Sequence, residues 1–399
     1  MDDIDLITAP TQAERRPPAV LQIVPRLVTG GVERGTVDLA AALVAQGWRA
    51  IVASEGGPMV HELDRAGARH VAMPLASKNP LVIRANVARL AALIARESID
   101  IVHARSRAPA WSAYGAALRT QTHFVTTFHN AYHAGNWVKR RYNSVMARGE
   151  RIIAISDFVA RHVIETYGVS WARVSVIHRG IDTTRFDPAR TSADRIIRLA
   201  TQWGLPDGVP VVMLPGRLAR WKGHKVLFEA LRRLGRPAVH CLIVGAGSSR
   251  YRRELEGELK ARPLPGSVGI VDDCRDIAAA YMLADVVVSA STEPEGFGRV
   301  IVEAQAMGRP AIATAHGGAM ETIIPGETGW LVPPGDSGAL AEALAEALDL
   351  APGARTDLAA RAMAHVRANF TVADMTGRTI AVYEELLGIS VRADGPVAA

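Results

Sequence analysis

Short aliphatic and β-branched runs alternate along this chain with alanine- and leucine-rich stretches of helical period. Ala19-Val-Leu-Gln-Ile-Val24 reads as a strand, and Gly35 to Val44 as the helix after it. Ala50-Ile-Val-Ala53, Ile99-Asp-Ile-Val102, His123-Phe-Val-Thr126 and Ile152-Ile-Ala-Ile155 continue the series. The pattern repeats with Val211-Val-Met-Leu214, Val239 to Val244, Val268-Gly-Ile-Val271, Asp285 to Ser289 and Pro310-Ala-Ile-Ala313. Strands that are apolar throughout and separated by helices are buried on both faces, which predicts parallel sheets covered by helices. Between the two series lies Ile177 to Pro188, rich in Gly, Asp and Pro and without clear period, which reads as the linker.

The expected architecture is α/β, with two doubly wound, Rossmann-like domains facing a central cleft. Ligands are expected at the carboxyl ends of the strands. The domains are drawn at 18–180 and 181–372. A terminal helix at 373–388 packs back on the N-terminal domain. A polar lead at 1–17 and a tail at 389–399 are expected to be disordered.

Length supports this division, since 399 residues exceed one ordinary core. No apolar run approaches the roughly 20 residues of a membrane span. The acidic start, Met1-Asp-Asp-Ile-Asp5, lacks the layout of a signal peptide, so a cytoplasmic location is expected. Cys241 and Cys274 fit no metal spacing and read as small core residues. A net charge of +6 favours anionic partners such as nucleotides, phosphorylated lipids or anionic membrane surfaces. Few aromatic residues, 5%, and no basic-aromatic interleaving argue against nucleic acid.

The strand ends carry the candidate chemistry. After the apolar run ending at Ser289 comes Glu295-Gly-Phe-Gly298, then a helix containing Val300 and Glu303. A Gly-rich turn at a helix N-terminus offers free N–H groups to a phosphate, and Glu295 can accept hydrogen bonds from hydroxyls. Glu303, one turn into the helix, leans back toward the turn. The bland alternative is a tight turn with a solvated glutamate. Leu214-Pro-Gly-Arg217 through Lys222-Gly223 follows another strand of the same series. Arg217 and Lys222 there suit a diphosphate; the alternative is a basic surface loop. Gly245-Ala-Gly247 is a fragment of a dinucleotide fingerprint broken by Ser248, and its first reading is a packing turn.

In the first series, Gly30-Gly31 opens a helix and lets backbone approach a ligand. His129, with Asn130 beside it, ends a strand, as does the Arg105-Ser-Arg107 segment, so all are expected to face the cleft. Trp137 to Arg151 combines Lys139, Arg140, Arg141, Arg148 and Arg151 with Trp137, Tyr142, Val145 and Met146. It reads as a solvated helix or as an interfacial surface for an acidic lipid.

These motifs resemble, in order and spacing, the retaining glycosyltransferases of family 4, which have the GT-B fold. The resemblance runs from Gln22 to Leu387. It rests on Glu295-Gly-Phe-Gly298 with Glu303, on Gly216-Arg217 with Lys222-Gly223, on Gly30-Gly31 and on Thr127-Phe-His129. It implies that the C-terminal domain binds a nucleotide sugar, which is a substrate, with no metal and no further cofactor. Arg217 and Lys222 would hold the diphosphate. Glu295 with Gly296, Phe297 and Gly298 would contact sugar and phosphate, and Glu303 the ribose. Gly31, Gly245 and Val300 join the donor-binding set. His129 would lie by the donor sugar, so that His129, Glu295, Arg217 and Lys222 form the catalytic group. Arg105 and Asn130 fall on the acceptor side. The segment 271–274 would lie near the base.

Retention in the family is explained by front-face attack, with the departing diphosphate stabilised by cations and a helix N-terminus. Thr126 to Trp137 and the Gly-Arg-Val after Phe297 resemble mannosyltransferases of the lipopolysaccharide core. That implies GDP-mannose as leading donor, with UDP-sugars as the alternative. It also implies an anionic glycolipid or lipopolysaccharide acceptor and peripheral attachment at the inner face of the cytoplasmic membrane. A sugar-nucleotide 2-epimerase and a non-catalytic sugar-nucleotide sensor are the competing readings.

Overall fold

The computed structural model describes residues 16–28, 30–132, 135–272 and 274–389. Nearly all of the expected polar lead, and all but the first residue of the expected tail, lie outside them.

The first sheet has seven strands: β1 (Ala19–Ile23), β2 (Arg49–Ser54), β3 (Arg69–Ala72), β4 (Ile101–Ala104), β5 (His123–Phe128), β6 (Arg151–Ala154) and β7 (Val174–Val176). Their order is β3-β2-β1-β4-β5-β6-β7. The second has six: β8 (Val211–Pro215), β9 (His240–Val244), β10 (Ser267–Val271), β11 (Val286–Ser289), β12 (Ala311–Thr314) and β13 (Trp330–Val332), in the order β10-β9-β8-β11-β12-β13. The ladders are parallel, for example Val20 against both Ala50 and Ile101, and Val212 against both Cys241 and Val286. Both sheets are therefore wound outward in two directions from a central pair, β1/β4 and β8/β11, as the alternation requires. In such sheets the crevice lies outside the carboxyl ends of that pair.

Burial explains why these segments are strands. All five residues of β1, β8 and β9 are buried. Val212, Leu214, Val286, Val288 and Ile312 pack with Leu227, Phe228, Leu231, Leu340 and Leu344 from the covering helices. Cys241 sits inside this core, and burial pushes its thiol up to about 12. Cys274 is half-buried, and both cysteines are free thiols. β3, β7 and β13 escaped the sequence reading. They are edge strands of three or four residues, and β3 is exposed or half-buried throughout.

The chain forms two compact units. One is drawn from Met1–Thr127, Ala134–Ile152 and Thr379–Ala399, the other from Phe128–His133 and Ile153–Arg378. The division runs through the first sheet, whereas the sequence placed it between 180 and 181. The bonding of residues 153–180 accounts for this. The Ser156 hydroxyl donates to Gly296 O at 2.7 Å. Asp157 N and Phe158 N donate to the Glu321 carboxylate at 2.8 Å each. Thus this stretch is held by the second unit's own loops. The terminal helix Val372–Leu387 begins in the second unit and ends in the first. There the Tyr383 hydroxyl meets His103 Nδ1 at 2.6 Å.

Among the described residues no helix is long and apolar enough to cross a membrane.

Candidate functional site

The second unit places its polar chemistry at the carboxyl ends of β8 and β11, on the central pair. After β8 the chain turns through Gly216 and Arg217 and enters a 3-10 turn, Arg220–Lys222, ahead of the helix His224–Leu234. Gly223 has φ 73°, and a Cβ there would lie 1.7 Å from Ala290 O. Only glycine lets this loop press against the end of β11. That approach carries Lys222 to Glu295: Nζ donates to Oε1 at 2.7 Å, and both side chains are largely buried. Glu295 Oε1 also accepts from the Ser291 hydroxyl, and from Ser289 Oγ at 3.4 Å. The second carboxylate oxygen accepts from none of the described residues.

Arg217 is exposed and has no hydrogen bond or ion pair among the described residues. This exposed, fork-shaped cation directly follows Gly216, where a Cβ would lie 3.7 Å from Lys222 Nζ. Gly245 serves packing, since a Cβ there would lie 2.0 Å from Gly216 O.

The Glu295 turn is held from several sides. Gly296, Phe297 and Gly298 are buried. The Phe297 ring packs edge-on against Phe370 at 5.5 Å and beside His178 at 5.9 Å. The Phe297 side chain is thus an anchor of the turn. Gly317 and Gly318 close on the turn, where added Cβ atoms would come 2.4 Å from Glu295 O and 2.5 Å from Phe297 Cα. His316 Nε2 donates to Ser291 O at 2.8 Å, as does the Thr314 hydroxyl. The sequence reading missed this His316-Gly317-Gly318 loop, although a glycine pair after an apolar strand was the signal that drew attention to Gly30-Gly31. Gly298, at φ 85°, caps the helix Arg299–Ala306, with Val300 half-buried in its first turn.

Glu303 does not reach back freely to the turn. Arg299 donates to its Oε1 at 2.8 Å and the Tyr281 hydroxyl to its Oε2 at 2.8 Å. Burial and the Glu303 carboxylate push the Tyr281 phenol well above its ordinary value, so it stays a donor.

His129 falls in the second unit. Its Nδ1 lies 2.8 Å from Arg179 Nη2. A Cβ on Gly296 would lie 2.8 Å from His129 O, so its backbone abuts the Glu295 turn. Asn130 is exposed, and its side chain accepts from Ala131 N.

Asp157, His178 and Glu321 bring three potential metal-ligand atoms within 4.8 Å. Glu321 already accepts from two backbone N–H groups, and His178 Nε2 lies 2.9 Å away. Burial alone would raise its carboxyl, but the bonds from His178, Phe158 and Asp157 outweigh this and hold it below the ordinary value. Its evident work is to close the N-terminus of the helix Asp157–Tyr167.

The first unit corrects one expectation. Arg105, expected to face the cleft, is only 5% exposed. It donates to Gln22 Oε1 at 3.2 Å, and burial lowers its pKa. The segment from Trp137 to Arg151 is not one amphipathic helix. A helix at Trp137–Asn143 gives way to a 3-10 turn, Ser144–Arg148, and then to β6. Val145 and Met146 are fully buried, Arg148 stacks on Trp111 and Tyr114, and Arg151 pairs with Glu385. Trp137, Val138, Lys139, Arg140 and Arg141 are exposed, as are Arg148 and Glu150. Gly31 begins the helix Gly31–Ala45, and the Glu33 carboxylate folds over Gly30.

Two outward-wound parallel sheets with their chemistry at the central strand ends are the two Rossmann-like domains of the GT-B fold. Residues 29–185 match the model of Glycosyltransferase Family 4, and residues 197–364 that of Glycosyl transferases group 1. The crystal structure of a glycosyltransferase from Rickettsia africae ESF-5 superposes with TM-score 0.87 at 38% identity, covering 94% of this chain and 100% of that one. The chain belongs to the glycosyltransferases that join a family 4 domain to a group 1 domain. Anabaena HepE, solved in complex with UDP and glucose, shares the fold with TM-score 0.81 at 24% identity, covering 92% of this chain and 100% of that one. The D-inositol 3-phosphate glycosyltransferase of Mycobacterium tuberculosis H37Rv is 31% identical over 249 residues, 61% of this chain and 50% of that one. The chain thus spans about half the length of the curated relatives it matches.

Proposed function

We propose that this protein transfers a hexose from a nucleotide sugar to a phosphorylated saccharide or glycolipid, with retention of configuration. The observation that carries the reading is the buried Lys222–Glu295 pair beside the free Arg217, at the carboxyl ends of β8 and β11. Arg217 and Lys222 hold the diphosphate and stabilise the charge that develops as it leaves. The Glu295 oxygen left open accepts from sugar hydroxyls. Backbone N–H groups at Gly296 to Gly298 and the helix behind them, with Val300, complete the donor site. Glu303 binds ribose hydroxyls by exchanging its bonds from Tyr281 and Arg299. His129 lies by the sugar. Gly31 joins the donor-binding residues, and Arg105 and Asn130 fall on the acceptor side. No metal is needed in this scheme, because the leaving charge is met by protein cations.

GDP-mannose is the leading donor and UDP-sugars are the alternative; the UDP complex of HepE supports the nucleotide-sugar class. The inositol phosphate in the mycobacterial relative's name supports an anionic acceptor. A lipopolysaccharide-core acceptor fits the basic patch of Lys139, Arg140 and Arg141 beside Trp137, which would rest on an anionic membrane.

A thermal-shift panel with GDP-mannose, UDP-glucose and UDP-N-acetylglucosamine identifies the donor, which raises the melting temperature by mass action. Transfer to a phosphorylated glycolipid should then fall roughly 10–150-fold in Lys222→Ala, a loss of about 1.5–3 kcal/mol of transition-state stabilisation. Unchanged transfer by folded Lys222→Ala overturns the reading. A sugar changed at C2 without any acceptor would make the protein an epimerase instead. Equal sedimentation with neutral and anionic liposomes, insensitive to salt, would remove the membrane element.

A further inference from the structure

We propose that Arg179 is a positioning residue that fixes the tautomer of His129, making the imidazole a hydrogen-bond donor and denying it the role of base. The inference rests on the reading that the second unit holds a nucleotide sugar next to His129.

Arg179 is 7% exposed, and its Nη2 lies 2.8 Å from His129 Nδ1. A guanidinium has five N–H donors, no acceptor, and does not lose its proton in proteins. Nδ1 must therefore receive this bond with its lone pair. In the neutral ring the proton then sits on Nε2, as the ring's one N–H donor. Neither nitrogen retains a lone pair with which to take a proton from an attacking hydroxyl. What remains is donation from Nε2–H to an oxygen of the ligand.

The neighbours of Arg179 keep it in place. His178 is bonded to Glu321 and lies 5.6 Å edge-on to Phe370. On the other side, Gly180 is so close to residue 371 that a Cβ would lie 2.3 Å from Thr371 O. Ile181 N donates to Phe370 O at 2.9 Å, and Val372 N returns a bond to Ile181 O at 3.1 Å. The guanidinium projects from a clamped segment, while His129 is set by its backbone against Gly296. Phe297 and Phe370 tie the two together. The Glu295 turn and the orientation of the imidazole are thus built on one framework.

The test is long-range ¹H–¹⁵N spectroscopy of the full chain labelled at histidine, with the His129 ring assigned by its loss in His129→Gln. The wild type should show protonated Nε2 and unprotonated Nδ1. Folded Arg179→Met should lose that signature, giving mixed tautomers, and Arg179→Lys, still a pure donor, should restore it. Transfer should fall roughly tenfold in Arg179→Met through kcat, with the lysine variant recovering most of it. A wild-type ring protonated on Nδ1, or an unchanged tautomer in folded Arg179→Met, overturns the proposal. If Arg179→Met does not fold, the wild-type and Arg179→Lys spectra decide alone. A correct tautomer in a protein that consumes no nucleotide sugar would sink the transferase reading and leave the Arg179 assignment standing.

Discussion

The two sheets are wound alike, yet the residues at their central strand ends keep buried cations in opposite ways. After β8, Lys222 is joined to Glu295 at 2.7 Å. After β4, Arg105 is only 5% exposed, and among the described residues its side chain bonds only the neutral Gln22 amide, at 3.2 Å. Glu33 and Asp38 act on it through space rather than by a bond. The glycines differ in the same sense. Gly223 has no room for a side chain, whereas the atoms nearest a Cβ on Gly30 are those of the movable Glu33 carboxylate. Equal topology thus delivers a tightly determined polar site in one sheet and a loosely compensated cation in the other. The winding places the strand ends; direct bonds and forced glycines decide which end becomes a site.

The largest contrast should come from the glycines. Gly223→Ala places a side chain in a left-handed conformation and drives it into Ala290 O. It should lower the unfolding free energy by about 3 kcal/mol or more. Gly30→Ala, with extended backbone and a flexible neighbour, should lower it by less than about 1 kcal/mol. Urea midpoints on both variants check the pair, and equal losses would erase the distinction.

Next in size are the cations. Lys222→Met leaves Glu295 without its partner and should reduce stability by about 2–3 kcal/mol, discounted from a fully buried pair because Glu295 is partly wet. Arg105→Met removes a desolvated charge with no bonded counter-ion, so its stability should stay within about 1 kcal/mol of wild type or rise. A loss at Arg105 as large as at Lys222 would mean that Glu33 and Asp38 act as true partners.

The smallest effect concerns the histidine that opens the helix behind Lys222. His224 is fully buried, and burial, then the Lys222 charge, lowers its pKa to about 4. The unfolded chain binds this proton near pH 6.5, the native one only near 4. Stability is therefore complete above about 6.5, falls as pH drops through the window, and levels off below 4. Between pH 7.5 and 5 the loss should be about 2 kcal/mol. Urea unfolding of His224→Gln at both pH values should show a loss smaller by that amount.

Much of the fold was legible because a strand buried on both faces is mostly apolar, as β1, β8, β9 and β11 are, each with at most one polar residue. The edge strands β3 and β13 were not, since one neighbour and partial exposure impose little on their composition. In the site, Glu295, Arg217 and Lys222 stood out because chemistry and turn residues coincide after strands. The partners that orient them did not. Arg179, Ser156, His316 and Tyr281 lie 22 to 140 positions from the residues they bond, and apart from the glycine pair after His316 nothing in their own neighbourhoods marks them. Phe297 and Glu303 carried the right motif, but the structure engages the Phe297 ring and both Glu303 oxygens from within. Trp137 to Arg151 misled because alternating basic and apolar residues suit a short helix, a turn and a strand as well as one long helix.

Cys241 gives the second sheet a built-in clock. A thiol reagent attacks the thiolate, and this sulfur is both inaccessible and held at about 12. It reacts only during the moments when β9 is opened to solvent. The speed at which it is modified in native buffer therefore measures how often this unit opens, with no residue substituted.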